Sequence, residues 1–186
     1  MKLNAQQMRK ADQKELQDSL KDHARKPFYL ILENVYDTYN IGGLFRLADG
    51  LNVAKLYLCG HMDTPPHTRI ERASIGTYKV VPWAYFKTVR EAIEDICQTR
   101  NAERGTLQVV AVEQDSRSQP YTQIHYSSPV ALIVGNETFG VLPETLALAD
   151  TIAEIPMWGI NKSLNVIVSA AIVSYHIRIR QEKLMG

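Results

Sequence analysis

Five stretches of strand length run apolar with few polar breaks: P-F-Y-L-I-L-E-N-V over 27–35, A-K-L-Y-L-C-G over 54–60, L-Q-V-V-A-V-E over 107–113, P-V-A-L-I-V-G over 129–135 and T-I-A-E-I-P-M over 151–157. Near-continuous apolar character, rather than strict alternation, predicts strands buried on both faces. Between them the period lengthens to that of a helix. Helices are expected over 41–51, over 88–100 and, briefly, over 142–149, and one long helix closes the chain over 163–183. Residues 61–67 are a loop with His61, Pro65, Pro66 and His67; residues 70–83 are mixed, and their V-V-P-W end is compatible with a short strand. Ahead of all this, residues 4–25 are polar and helix-prone, with Asn4 in capping position and a thin stripe of Met8, Ala11, Leu16 and Leu20.

Strands alternating with helices predict an α/β fold, a mainly parallel sheet covered by helices on both faces. In such sheets ligands bind beyond the carboxyl ends of the strands. The expected organisation is a basic N-terminal helical extension, residues 1–26, followed by one domain over 27–186. Lys2, Arg9, Lys10, Lys14, Lys21, Arg25 and Lys26 make that extension basic, with acids interleaved. It is either a solvated helix packed on the domain or one that helps hold RNA.

Charge changes the picture little. Lys plus Arg number 21 against 20 for Asp plus Glu, so the formal charge of +1 neither demands nor excludes nucleic acid. Cys59 and Cys97 form no C-x-x-C pair, which argues against a disulfide framework or a cysteine zinc site. No metal is expected, since none of the five histidines shows ligand spacing. The amino terminus, M-K-L-N-A-Q-Q-M-R-K, lacks the apolar core of a signal peptide, and no apolar run reaches the length of a membrane span. A cytoplasmic protein without a membrane partner is expected.

Three polar words stand at or just past the ends of apolar runs. The first is N-I-G-G-L-F-R, from Asn40 to Arg46. Asn40 suits a helix N-cap. Gly42, Gly43 and Arg46 share one helical face opposite the apolar stripe of Ile41, Leu44, Phe45 and Ala48, which leaves bare backbone beside an arginine. Arg46 is either a solvated cation or a group aimed at something that approaches closely. The second word is G-N-E-T-F-G, from Gly135 to Gly140. Glu137 is a turn residue or the partner of an arginine from a neighbouring loop, Arg46 being the candidate. The third is N-K-S-L-N-V, from Asn161 to Val166, where Ser163 suits the N-cap of the last helix and Asn165 its first turn. Free N–H groups at such a helix start favour an anion or a polar ligand edge.

The last helix is apolar around most of its circumference. Leu164, Ile167, Val168, Ala171, Ile172 and Tyr175 make one stripe, while Val166, Ala170, Val173 and Ile177 extend it to the other side. The sheet can cover one side; a second copy of the chain is expected on the other, giving a homodimer through this helix. A Rossmann G-x-G-x-x-G, a phosphate-binding P-loop and a G-x-S-x-G turn are all absent from the sequence.

Taken together, the three words resemble the motifs of the SPOUT superfamily, in its SpoU/TrmH branch of RNA ribose methyltransferases. N-I-G-G-L-F-R-L-A matches the first motif, G-N-E-T-F-G-V the second, and I-P-M-W-G-I-N-K-S-L-N-V-I-V-S-A-A-I the long third. The order and spacing of all three fit over residues 27 to about 180, and A-S-I-G-T-Y-K-V-V-P-W is similar to the family segment before its middle helix. Leu47, the pair Thr138-Phe139 and Ile167 depart from common choices, outside the defining positions. The separate recognition domain that many relatives carry is not seen in this sequence.

The resemblance implies a C-terminal deep trefoil knot and S-adenosylmethionine as methyl donor. It implies a cofactor pocket around Gly135, Ile155, Met157 and Leu164, with Ala111, Val112 and Glu113 alongside. It implies methyl transfer to a ribose 2′-hydroxyl of RNA, with tRNA and rRNA both open as the target. The site would be completed across a dimer interface. By the same resemblance Arg46 would act at the hydroxyl, Glu137 would orient it, Asn40 would support it, and Ser163 and Asn165 would position loop and substrate. A non-catalytic RNA-binding scaffold of the same fold is the alternative.

Overall fold

The computed structural model describes residues 2–20, 23–99 and 106–185. Lys21, among the basic positions of the extension, and Arg100, at the end of the helix expected over 88–100, lie outside the described residues. Strands β1 (Lys26–Glu33), β2 (Val53–Cys59), β3 (Trp83–Phe86), β4 (Gln108–Val112), β5 (Gln119–Pro120), β6 (Val130–Val134) and β7 (Thr151–Glu154) alternate with helices. They form a 7-stranded sheet in the order β3-β2-β1-β6-β4-β7-β5. Every pairing in it is parallel. The parallel α/β architecture expected from the alternation is the one found.

The pleat sorts β1 into two cores. Phe28, Leu30 and Leu32 face the helices α3 (Thr38–Gly50) and α7 (Val166–Met185), together with Ile41, Leu44, Phe45, Ala48, Val166, Ala170, Val173 and Ile177. Tyr29 and Ile31 face the opposite way, into a layer with α5 (Val89–Thr99) and α6 (Pro143–Leu146). Successive side chains of a strand point to opposite faces, so a strand buried on both sides must be apolar at every position. That is why the five runs read as continuous.

Several boundaries differ from expectation, each for a local reason. The N-terminal segment is two short helices, α1 (Ala5–Lys10) and α2 (Gln13–Ser19). Asn4 caps the first through a capping box, as expected, and Asp12 caps the second by accepting from Lys14 and Glu15 N–H. The mixed stretch hides a helix, α4 (Thr68–Ser74), started by the His67 ring accepting from Arg69 N–H. Within it the only fully buried apolar side chain is Ile70, too little periodicity to read. The V-V-P-W strand begins only at Trp83. β5 pairs through only two residues and has no sequence signal.

The glycines of α3 explain how its neighbours approach. A Cβ on Gly42 would lie 2.4 Å from Ala73 Cβ and within 2.9 Å of the Ile70 carbonyl oxygen, so α4 packs directly on the α3 backbone. One on Gly43 would lie 2.4 Å from Ile167 Cδ1 on α7. The two glycines are therefore covered by the chain's own helices, and of that face Arg46 is left in solvent.

The N-terminal segment packs against the 3-10 turn that carries Lys79. Lys79 Nζ donates to the carbonyls of Arg9 and Ala11 at 3.0 and 2.9 Å, and Gln17 Nε2 donates to Lys79 O at 3.3 Å. Arg25 is spent on the carbonyls of Val53 and Val80. Among the described residues no helix is long and apolar enough to cross a membrane.

Candidate active site

The three polar words meet at the carboxyl edge of the sheet through one chain of hydrogen bonds. Asn40 Nδ2 donates to Glu137 Oε1 at 2.8 Å, and Asn165 Nδ2 donates to Asn40 Oδ1 at 3.0 Å. Asn165 Oδ1 in turn accepts from Ile167 N–H at 2.9 Å, which starts α7. Asn40 is thus a buried connector rather than a cap. Asp37 caps α3 by accepting from Tyr39 N–H at 2.8 Å, which puts Asn40 in the first turn with its amide turned inward. Asn165, not Ser163, caps α7, whose first helical residue is Val166. Ser163 lies exposed in the loop before it.

Glu137 does not pair with Arg46. Its carboxylate takes the Asn40 amide and lies 3.4 Å from the N–H groups of Tyr36 and Asp37, long contacts that still aim it at the loop before α3. Arg46, two turns further along α3, is exposed and has no ion pair or hydrogen bond among the described residues. It lies on the helical row between Gly43 and Gly50, which meet Ile167 and the Tyr175 hydroxyl of α7.

The loop carrying Glu137 is closed on itself. Asn136 and Gly140 exchange backbone hydrogen bonds at 3.0 and 2.9 Å, and Asn136 Oδ1 accepts from Thr138 and Phe139 N–H. Asn136 Nδ2 donates to Asn34 O at 2.7 Å, joining this loop to the end of β1. Glu113, at the end of β4, accepts from Val141 N–H at 2.8 Å and presses on Gly140. Gly140 has φ +70°, and a Cβ there would lie 1.9 Å from Glu113 Oε2, so both conformation and space demand glycine. Behind the loop, buried Glu33 accepts from Leu142 N–H and the Thr145 hydroxyl. Burial pushes the Glu33 carboxyl above the usual carboxylate range, and those two hydrogen bonds partly offset it.

Beside this junction lies a cavity of about 360 Å³. Val112, Val134, Ala153 and Val166 supply apolar wall, and Gly135, Ile155, Met157, Ser163 and Leu164 supply loop backbone. Glu113, Glu137 and Lys162 add charge. Ile155 and Met157 reach it because β7 ends at Glu154, before Pro156, which has no N–H for a ladder. Of the positions expected around a cofactor, Gly135, Ile155, Met157, Leu164, Val112 and Glu113 line this cavity. Ala111 does not: it is fully buried, and the pleat turns its side chain into the opposite layer, against α5 and α6. Asn136, Gln114 and Lys162 also line it and were not singled out in the sequence. The N-x-T spacing of Asn136 and Thr138, an Asx turn, is the signal that could have found the first.

The sequence model of the SpoU rRNA Methylase family matches residues 27–175. The chain belongs to that family. Among proteins of known activity it is similar to a tRNA (guanosine(18)-2'-O)-methyltransferase of Aquifex aeolicus, 32% identical over 162 residues that span 87% of this chain and 74% of that one. Among solved structures it is similar to an AdoMet-bound rRNA methyltransferase from Sinorhizobium meliloti, with 31% identity and a TM-score of 0.72, covering 82% of this chain and 56% of that one. It is also similar to the A. aeolicus TrmH/SpoU tRNA modifying enzyme, with 27% identity and a TM-score of 0.75, covering 92% and 83%. The SpoU/TrmH resemblance read from the three words is borne out. The chain spans little more than half of the S. meliloti protein.

The junction predicts energetic coupling. Replacing Asn40 by Ala leaves the Glu137 carboxylate and the Asn165 amide without their partner and is expected to cost about 1–3 kcal/mol in urea denaturation. Adding Glu137→Ala is expected to cost less than the sum of the single changes, because the two side chains share one bond. Additive losses in the double-mutant cycle contradict the connection.

Proposed function

We propose that this chain transfers a methyl group from S-adenosylmethionine to a ribose 2′-hydroxyl of tRNA or rRNA in the cytoplasm. The observation that carries the reading is the Glu137–Asn40–Asn165 junction, which ties the three family motifs together beside a cavity lined by most of the expected cofactor positions. The cavity fits such a ligand in size and chemistry. Its volume of about 360 Å³ falls in the range of small-molecule sites, and its apolar walls and loop backbone suit a nucleoside with a charged tail. In this reading the C-terminal part is tied in the deep trefoil knot of the SPOUT superfamily, and residues 27–186 form the methyltransferase domain.

The cofactor, when bound, supplies a methyl group activated on a sulfonium. The chain's residues supply position and charge. Val112, Val134, Ala153 and Val166 supply the apolar wall of the pocket, and backbone at Gly135, Ile155, Met157 and Leu164 would hold the ligand. Glu137 holds Asn40, and Asn165 fixes the start of α7, so the loop bearing Ser163 meets the substrate in one geometry. Arg46 stabilises negative charge as the ribose oxygen loses its proton. A guanidinium is not deprotonated in proteins, so it serves as an electrostatic clamp and not as the base.

Arg46 does not line the cavity, and a second copy of the chain accounts for that. Val166, Ala170, Val173 and Ile177 of α7 are buried on the sheet, whereas Leu164, Val168, Tyr175 and Ile179 are 37%, 45%, 48% and 51% exposed. This apolar stripe is the homodimer face. Across it, the cavity of one protomer meets Arg46 of the partner subunit. The docked extension adds Arg9, Lys10 and Lys14 as contacts for RNA phosphates.

The test uses S-adenosylmethionine labelled in the methyl group and total tRNA and rRNA as acceptors. A 2′-O-methyl blocks alkaline cleavage at its own phosphodiester, so label is expected in alkali-resistant dinucleotides; label in mononucleotides contradicts the reading. Arg46→Ala is expected to lower transfer by about 100-fold or more while cofactor affinity stays within about threefold. Near-normal turnover in that variant removes Arg46 from the chemistry. In sedimentation equilibrium the chain is expected as a dimer, and Val168→Asp with Ile179→Asp as a monomer. A wild-type mass that stays monomeric at every concentration contradicts the dimer.

A further inference from the structure

Aromatic side chains carry a large apolar area and are normally covered. At the carboxyl edge of β1, β2 and β3 this chain leaves a row of them in solvent. Tyr36, in the loop after β1, is 50% exposed, and Tyr85, in β3, is 47% exposed. His61, exposed just past β2, meets the Tyr36 ring edge-on with centroids 6.1 Å apart. The Tyr85 hydroxyl donates to the carbonyl of Gly60, the residue before His61, at 3.0 Å.

The row is anchored. His61 N–H donates to Asn34 Oδ1 at 2.8 Å, and Tyr36 N–H points at Glu137 Oε2 at 3.4 Å. The platform is thus joined to the same carboxylate that holds Asn40. Beside it, Asn34, Gly60, Lys87 and Arg90 border a second cavity of about 390 Å³. Lys87 and Arg90 are exposed and make no ion pair among the described residues. The acids at that cavity are Glu33, which is engaged with Leu142 and Thr145, and Glu144 on α6.

Flat rings with polar tips, flanked by unpaired cations, match the chemistry of unpaired nucleotides. Every base has a face that stacks on an aromatic ring, and the neighbouring phosphates seek Lys and Arg. A duplex keeps its base faces inside the stack and offers nothing to such a row. We propose that Tyr36, His61 and Tyr85 form a stacking platform for unpaired bases of single-stranded RNA flanking the modified nucleotide, with Lys87 and Arg90 on the backbone phosphates. The proposal rests on the RNA reading above and deepens it: the substrate is a loop or an unpaired end, not a helix.

The test measures binding of the full chain to a mixed-sequence RNA oligonucleotide of about 12 nucleotides, and to the same strand annealed to its complement. Single-stranded RNA is expected to bind tighter, and Tyr36→Ala with Tyr85→Ala to weaken it by about tenfold or more. Tyr36→Phe with Tyr85→Phe, which keeps both ring faces, is expected to bind like wild type. Calorimetric affinity for S-adenosylmethionine, unchanged across these variants, reports an intact fold. In Tyr36→Trp, stacking is expected to quench indole fluorescence on adding the single strand. Wild-type RNA binding that the double Ala variant leaves unchanged overturns the platform alone and leaves the rings to a protein partner. Tighter binding of the duplex also overturns it. No wild-type binding to either probe overturns the platform together with the RNA reading.

Discussion

A single buried amide, that of Asn40, holds the three loops of the site in register. It donates to Glu137 from the loop after β6 and accepts from Asn165 at the start of α7, while its own backbone lies in the first turn of α3. An amide can do this because it is donor and acceptor at once. A carboxylate in its place would repel Glu137, and a hydroxyl could not reach both. Each loop emerges from a different part of the sheet, and backbone pairing within the sheet does not constrain them once the strands end. The connection through Asn40 supplies that constraint. Asn136 and Glu113 extend it to β1 and β4.

The sheet then decides what the cavity is made of. Val112, Val134 and Ala153 stand on one face of neighbouring strands and point into the same layer as α7. Ala111 and Ile133, one residue away, point into the other layer. The same alternation that makes the strands continuous in apolar character selects every second residue for the site. Gly42 and Gly43 act by the same economy of space, since α4 and α7 lie against them and hold α3 at the angle that brings Asn40 to Glu137.

Much of this was legible in the sequence. Long apolar runs mark strands whatever their neighbours do, and the resemblance carried the family and six of the seven positions expected around the cavity. What was not legible depended on contacts distant in the chain. Asn40 looks like a cap because caps are local, but Asp37 holds that position and frees Asn40 for partners 97 and 125 residues away. Charge suggested Glu137 with Arg46, whereas geometry gave Glu137 to an amide and left the arginine in solvent. The glycine face suggested an approaching ligand, and the chain's own helices cover both glycines. Ala111 was off by one residue, which in a strand means the other side of the sheet. The short helix α4 and the two-residue β5 draw their stability from packing and pairing rather than from periodicity.

These features make the site a joint between loops more than a fixed pocket in a core. Its integrity is testable without knowing the RNA. Asn40→Asp changes one group, turning the donor that faces Glu137 into a second carboxylate oxygen. Titrating S-adenosylmethionine calorimetrically into both proteins reads the consequence. Saturable binding is expected for the wild type, and affinity at least about tenfold weaker for Asn40→Asp, since the Glu137 loop that walls the cavity is repelled from the anchor that the Asn165 loop keeps. Equal affinity in the two proteins would contradict it.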